Sequence, residues 1–202
     1  MARGDERRKD PLSRAVDTLI RAGRASEVKA LGETYAARAK STFASIRNDS
    51  TRSGEWKKAE LKQAGQTLRD NLTAEVEALA RSADADDRRD ASIVFGTAGL
   101  PGDAASLAIS ARDAGDRVEQ AKNPDELLTL LDRATHTGDE VLARAVVRRA
   151  VEEGLPNIVN EFTQTRPALL EATERLWARS QREASSTFFF PLYLAALRPD
   201  MT

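Results

Sequence analysis

The side chains with chemical reach are few. His136 is the only histidine and there is no cysteine, which excludes disulfides, cysteine-ligated metals and a multi-histidine metal site. A catalytic triad would have to use His136. It stands beside Thr137-Gly138 at an expected helix end, and no GxSxG serine occurs in the chain. A capping or surface role follows from that placement. Asp84, Asp86, Asp87 and Asp90 are numerous enough to hold a cation. The calcium-loop pattern, however, needs a central glycine and a closing glutamate, and both are missing; the cluster reads as a solvated loop. Glu152 and Glu153 are adjacent, so a helix points them apart and they form no acid–base couple. Glu140, Arg144 and Arg148 stand four apart and read as surface ion pairs, worth about a few tenths of a kcal/mol each. Gly96, Gly99 and Gly102 are spaced by three. No lysine follows, so they suit a hinge and not a phosphate cradle. The residues therefore assign no catalytic, cofactor-binding or metal site, no cofactor is expected, and the chain is not expected to be an enzyme.

Ionic side chains are abundant and unevenly placed. Among 202 residues, 31 are Lys or Arg (24 of them Arg) and 32 are Asp or Glu, for a net charge of -1. Residues 1–62 hold 15 basic and 9 acidic groups, whereas residues 63–202 hold 16 and 23. Such polarity can steer a partner or set the direction of an assembly, and it is also what solvated helix faces produce. Nucleic acid is not expected as a partner. The basic arm Arg3, Arg7, Arg8, Lys9 and Arg14 is diluted by Asp5, Glu6, Asp10 and Asp17, and neither it nor the Lys57, Lys58, Lys62 cluster is interleaved with aromatics. MARGDERRKD at the start lacks the apolar core of a secretory signal. The longest uncharged run, Ala184–Leu197, has 14 residues and contains Pro191, too short for a transmembrane helix. No membrane association is expected, and the missing cysteine suits a reducing cytoplasm.

The elements that must position these side chains are helices. Asp10-Pro11 is a helix start; Leu12, Val16, Leu19 and Ile20 then share a face, and Gly23 and Ser26 mark a break. Val28, Leu31, Tyr35, Ala39, Phe43 and Ile46 follow at steps of three and four, an amphipathic helix that NDSTRSG (48–54) turns. Glu55 opens a long helix with the seam Leu61, Gly65, Leu68, Leu72, Val76 and Leu79. Its small positions would let two antiparallel backbones approach closely. Residues 82–90 close this arm. A helix then starts at the Asp103 cap, carrying Ala104, Leu107, Ala108, Ala111, Ala114 and Val118. Others start at Asn123-Pro124, after Thr137-Gly138-Asp139, at Pro156 and near Pro167. Ala143, Val147 and Ala150 have the spacing of the second helix of a tetratricopeptide repeat. No second copy recurs at that period, so the half is a helical-hairpin stack and no repeat array. The expected fold is all-α. A charged helical arm (1–90), either a long hairpin or coiled-coil-like, leads to an apolar Gly-rich hinge (91–102) and a helical-hairpin domain (103–182). An aromatic and proline-containing tail (183–202) is expected to run extended because Pro191 opposes helix continuation.

That tail gathers four of the ten aromatics. Phe188, Phe189, Phe190, Pro191, Leu192, Tyr193 and Leu194 are the candidate partner-binding residues, because an apolar tail must be covered by its own domain or by another protein. The segments Leu107–Gly154 (LAISARDAGDRVEQAKNPDELLTLLDRATHTGDEVLARAVVRRAVEEG) and Phe188–Leu194 (FFFPLYL) resemble small helical proteins from the structural-gene region of actinobacterial siphophages. The shared pattern is a charged helical first half, then helical hairpins, then a short aromatic and proline tail. It covers about the second half of the chain and carries no catalytic residue. The resemblance implies a non-enzymatic virion-assembly protein, a capsid scaffold or minor capsid-associated component, in the host cytoplasm during assembly or in the virion. Its partners would be proteins such as the capsid shell or portal, with homo-oligomerisation left open. One departure stands out: the best-known scaffolds bind shell through a basic helical terminus, whereas here only Arg198 lies near the apolar tail. A cellular helical adaptor binding another protein through the hairpin stack is the alternative class.

Overall fold

The computed structural model describes residues 11–182 and 190–199, with Phe190 described by its backbone alone. Among them every regular element is helical and no strand occurs. The chain forms two compact units, residues 1–84 with 183–202, and residues 85–182.

The first unit is built on α1 (Pro11–Arg21), α2 (Ala25–Asn48), the early part of α3 (Gly54–Phe95), and a short helix near the C-terminus, Phe190–Ala196. Pro11 suits a first helical position, where the missing N–H leaves nothing unpaired. α1 ends in a Schellman stop: Gly23 takes φ 77°, Arg24 N donates to the Leu19 carbonyl at 2.8 Å, and Gly23 N donates to Ile20 at 2.9 Å. The α2–α3 turn is held by Asp49, whose Oδ1 accepts from Thr51 N at 2.8 Å, and by Ser53 Oγ, which accepts from Trp56 N at 3.2 Å. Lys57 Nζ then donates to the Arg47 carbonyl at 2.9 Å, closing the end of α2. Contacts run antiparallel from there. Tyr35, 2% exposed, donates its hydroxyl to Glu75 Oε1 at 2.6 Å. The core is Leu12, Val16 and Leu19 from α1, Val28, Tyr35, Ala39 and Phe43 from α2, and Leu61, Leu68, Leu72, Val76 and Ala80 from α3.

The second unit takes the end of α3, then α4 (Ala104–Gln120), α5 (Pro124–Thr137), α6 (Glu140–Glu153), α7 (Pro156–Thr165), a 3-10 turn (Pro167–Leu169) and α8 (Leu170–Ser180). α6 is the centre, packed against α4, α5, α7 and α8. It buries Leu142, Ala143, Val146, Val147, Ala150 and Val151, more than one face, because small side chains let neighbours approach on two sides. Local chemistry sets the element ends. Asp103 Oδ1 accepts from Ala105 N and Ser106 N at 3.0 Å. Gly138 and Gly154 end α5 and α6 with φ 70° and 73°, a left-handed turn that costs glycine nothing. Asn123 caps α5: its Oδ1 accepts from Glu126 N at 2.9 Å, and Glu126 Oε2 reaches back to accept from Lys122 N, the residue before the cap, at 2.8 Å. Replacing Asn123 with Ala is expected to lower the unfolding free energy by about 1 kcal/mol. Urea denaturation checks this: the midpoint falls at unchanged slope, and Asn123→Ser stays near the original value.

Several expectations need correction. Residues 82–90 are not a loop: α3 runs unbroken through them to Phe95, 42 residues in all. The division between units accordingly falls inside α3, at 84/85, and the glycine-rich link begins only at Gly96. α4 buries only Ala114 and Val118 of its expected face. Leu107 is half-buried, and Ala104, Ala108 and Ala111 are exposed. Residues 190–196 are helical and not extended, because Pro191 is the second residue of that helix, where its missing N–H breaks no hydrogen bond. Of the small positions in the α3 seam, Gly65 makes room for this segment, as the distances below show.

Candidate functional site

We name the C-terminal helix Phe190–Ala196 α9. It packs against α2. Gly32 of α2 lies directly under the Tyr193 ring, so that a Cβ on Gly32 would stand 2.6 Å from Tyr193 Cγ. On α3, a Cβ on Gly65 would stand 2.9 Å from the Leu197 carbonyl oxygen and 2.9 Å from Pro199 Cδ. Two helix-interior glycines, each about 1 kcal/mol worse than alanine in a helix, thus open a seat for Tyr193 and Leu197. Leu197 is fully buried in the first unit's core, with Tyr193 and Leu194 half-buried against it. Pro191 is exposed, as is Leu192 at 65%. Phe188 and Phe189 lie outside the described residues. Of the seven candidate partner-binding residues, then, two face inward, two face outward, and Phe190 opens the helix. Gly32 is the residue that sequence reading missed. Its only signal was a glycine inside a helical pattern, where it costs about 1 kcal/mol against alanine.

The second candidate is a cleft of about 370 Å³ in the second unit, lined by Phe95, Ala111, Val118, Arg144, Arg148 and Arg149 among others, with Glu119 and Glu152. α6 supplies its arginines, and Arg144 is not in the surface pair expected of it. Arg144 Nη1 donates to the carbonyls of Ile93 at 3.0 Å and Gly96 at 2.5 Å, the end of α3. Arg149 Nη1 donates to the carbonyls of Val118 and Ala121, the end of α4, and its Nε donates to Glu153 at 2.7 Å. Helix C-termini carry unpaired carbonyls and partial negative charge, so both cations hold helix ends in place. Arg148 is exposed and only meets Glu152, at 3.0 Å. The Arg144 Nε is enclosed and makes no hydrogen bond.

Glu140 faces elsewhere. Both its oxygens accept from Arg166 Nε at 3.0 Å, and the Arg166 guanidinium lies 4.9 Å from the Phe162 ring centroid. The acidic cluster is likewise not a cation loop. Arg175 binds Asp90 bidentately at 2.7 and 2.8 Å, and Arg179 pairs with Asp87, joining α8 to the end of α3. Among the described residues no group of three or more His, Asp or Glu side chains is arranged to hold a metal. His136 is exposed at the end of α5, its Nδ1 2.9 Å from the Asp132 carbonyl. That carbonyl, and then the Asp132 carboxylate, raise its pKa. The Tyr35 phenol is also pushed upward, by burial first and by Glu75 second. Among the described residues no helix is long and apolar enough to cross a membrane.

Comparison with protein-family models, with curated proteins and with solved structures finds no match.

Proposed function

We propose that this chain is a non-enzymatic phage virion-assembly protein, a capsid scaffold or minor capsid-associated component, acting by self-association and by docking on a protein such as shell or portal. On this reading it works in the host cytoplasm during assembly or within the virion. One observation carries the protein-contact part: apolar side chains stand uncovered on α4 and α9. The first half of α4 presents Ala104, Ala105, Ala108 and Ile109, with Ile109 72% exposed, and α9 presents Pro191 and Leu192. Apolar faces of this kind suit contact with another protein. The phage assignment itself rests on the resemblance of Leu107–Gly154 and Phe188–Leu194.

Light scattering over a concentration series tests the reading. The chain is expected to exceed 22.1 kDa as concentration rises. Ile109→Asp and Leu192→Asp each weaken self-association or partner capture at least tenfold while changing stability by no more than about 0.5 kcal/mol. A mass constant at the monomer value throughout overturns scaffolding. Flanking terminase, portal and capsid genes support the phage assignment, and metabolic or regulatory neighbours overturn it. The arginine-lined cleft favours a second reading, a cellular adaptor gripping an acidic partner through the second unit. Arg148→Glu would then abolish partner binding and leave self-association unchanged.

A further inference from the structure

We infer that the first unit carries a binding face for the phosphate backbone of nucleic acid, made by α2, α3 and residues 197–199. The inference does not rest on the assembly reading.

The face is built around one point. A Cβ on Gly65 would stand 3.6 Å from Phe43 Cζ, as well as 2.9 Å from the Leu197 carbonyl oxygen and from Pro199 Cδ, so three segments meet there. Lys40 and Arg47 lie one turn to either side of Phe43, Lys62 and Arg69 one turn to either side of Gly65, and Arg198 lies between Leu197 and Pro199. Lys58 extends the α3 row by one further turn. Positions 58, 62 and 69 share one side of the helix and run over roughly 16 Å. In the sequence only Lys57, Lys58 and Lys62 stand together, and Lys57 is spent on the Arg47 carbonyl. The fold brings Lys40, Arg69 and Arg198 to the other two.

Three observations point to a polyanion. These charges are not neutralised: among the described residues Lys40, Lys58, Lys62, Arg69 and Arg198 make no ion pair. Asp70, the carboxylate next to Arg69, accepts from Gln66 instead, at 2.7 Å. In the second unit, by contrast, Arg117, Arg148, Arg149, Arg166, Arg175 and Arg179 are all paired. Next, Lys58 and Lys62 stand four apart on a helix, where like charges repel, so the fold gains nothing from placing them together. Finally, no large apolar side chain stands exposed within 40–47, 58–69 or 197–199. The exposed Leu192 adjoins Tyr193 on Gly32, roughly 16 Å along α2 from Phe43. A protein interface is centred on apolar residues and is poor in lysine, and a helix lying on a membrane needs apolar anchors. Phosphate contact irrespective of base sequence needs only Lys and Arg gathered on one surface. The α3 row alone spans about five phosphates of one strand at roughly 3.4 Å each.

Fluorescence anisotropy tests this with the full chain and a labelled duplex of about 20 base pairs, long enough to cover the row. Contact with three to five phosphates gives log K a slope of about −2.7 to −4.5 against log[salt]. Lys40→Gln combined with Lys62→Gln changes two exposed positions. It is expected to weaken binding roughly tenfold or more at low salt and to make the slope shallower by about 2, with helical circular dichroism unchanged. Arg112→Gln combined with Arg133→Gln removes the same charge from exposed positions of the second unit and is expected to change affinity by less than about twofold. Absence of salt-dependent binding by the unmodified chain overturns the site. Equal losses in the two double variants also overturn it, because attraction to overall charge would then suffice. Poly-glutamate and vesicles of phosphatidylserine in phosphatidylcholine are titrated alongside. Tighter binding to either than to the duplex overturns the nucleic-acid assignment, in favour of an acidic protein or a lipid surface respectively.

Discussion

Replacing Phe162 with alanine is expected to lower the unfolding free energy of the second unit by about 3–5 kcal/mol. Phe162 is fully buried on α7 and belongs to the cluster that includes Leu131, Val146, Ile158 and Leu176. Much of that cluster is alanine and valine on α6, short side chains that cannot swing into the space a ring leaves. The truncation therefore keeps most of its cavity and its full cost. It also removes the ring beneath the Arg166 guanidinium, which loses a cation–π contact. Phe162→Leu preserves apolar volume and should cost about 1 kcal/mol. Trp177, packed half-buried against the same cluster, reports this unit's unfolding by fluorescence. A Trp56→Phe background removes the only other indole. If Phe162→Ala moves the urea midpoint no more than Phe162→Leu does, the ring is not the centre of this core.

The starts and stops of the second-unit helices were legible because they are local. Asp103, Asn123-Pro124, Gly138, Gly154 and Pro156 each act within a few residues of themselves, and the structure uses each where its type requires. What escaped is what depends on distant residues. The run Asp84 to Asp90 reads as a solvated loop when its like charges are considered alone. Its helix becomes intelligible once Arg175, 85 positions away, is seen on Asp90. The alanines of α4 fit a packed face and an exposed face equally well, and only the extent of α6 decides which of them are covered. Pro191 stops a helix from its interior and starts one from its first turn, and the sequence does not say which turn it occupies.

The same division holds for the candidate sites. That Tyr193 and its neighbours form an apolar segment was plain from composition, but the seat they occupy is made by two residues without side chains. Glu140, Arg144 and Arg148 lie at a spacing that implies pairing with one another. α6 instead sends Arg144 to helix-end carbonyls and leaves Glu140 for Arg166. Backbone carbonyls have no letter in a sequence, so a cation that caps a remote helix looks the same as one on a solvated face.

That distinction sets the second large effect. Arg144→Met keeps most of the apolar stem and removes the guanidinium, leaving the carbonyls of Ile93 and Gly96 without their donor. Arg149→Met takes the donor from the Ala121 carbonyl and leaves Val118 only the 3.3 Å bond from Ala121 N. Each is expected to cost about 2 kcal/mol, the range for a hydrogen bond from a charged group to a partly buried acceptor. The acceptors belong to different helix ends, so the double variant should cost about 4 kcal/mol if the two sites are independent. Arg148→Ala, which breaks only an exposed pair with Glu152, should stay within about 0.5 kcal/mol. Urea denaturation measures all four, and hydrogen exchange localises them: Arg144→Met speeds exchange in the last turn of α3, and Arg149→Met in the last turn of α4. Equal costs at 144, 148 and 149 would mean that the three arginines act as one charged cluster instead of two helix caps and an exposed ion pair. With the caps established, Arg148 is the cleft arginine that can be reversed in charge without loosening the fold. A partner lost by Arg148→Glu at unchanged stability is then a partner that binds in the cleft.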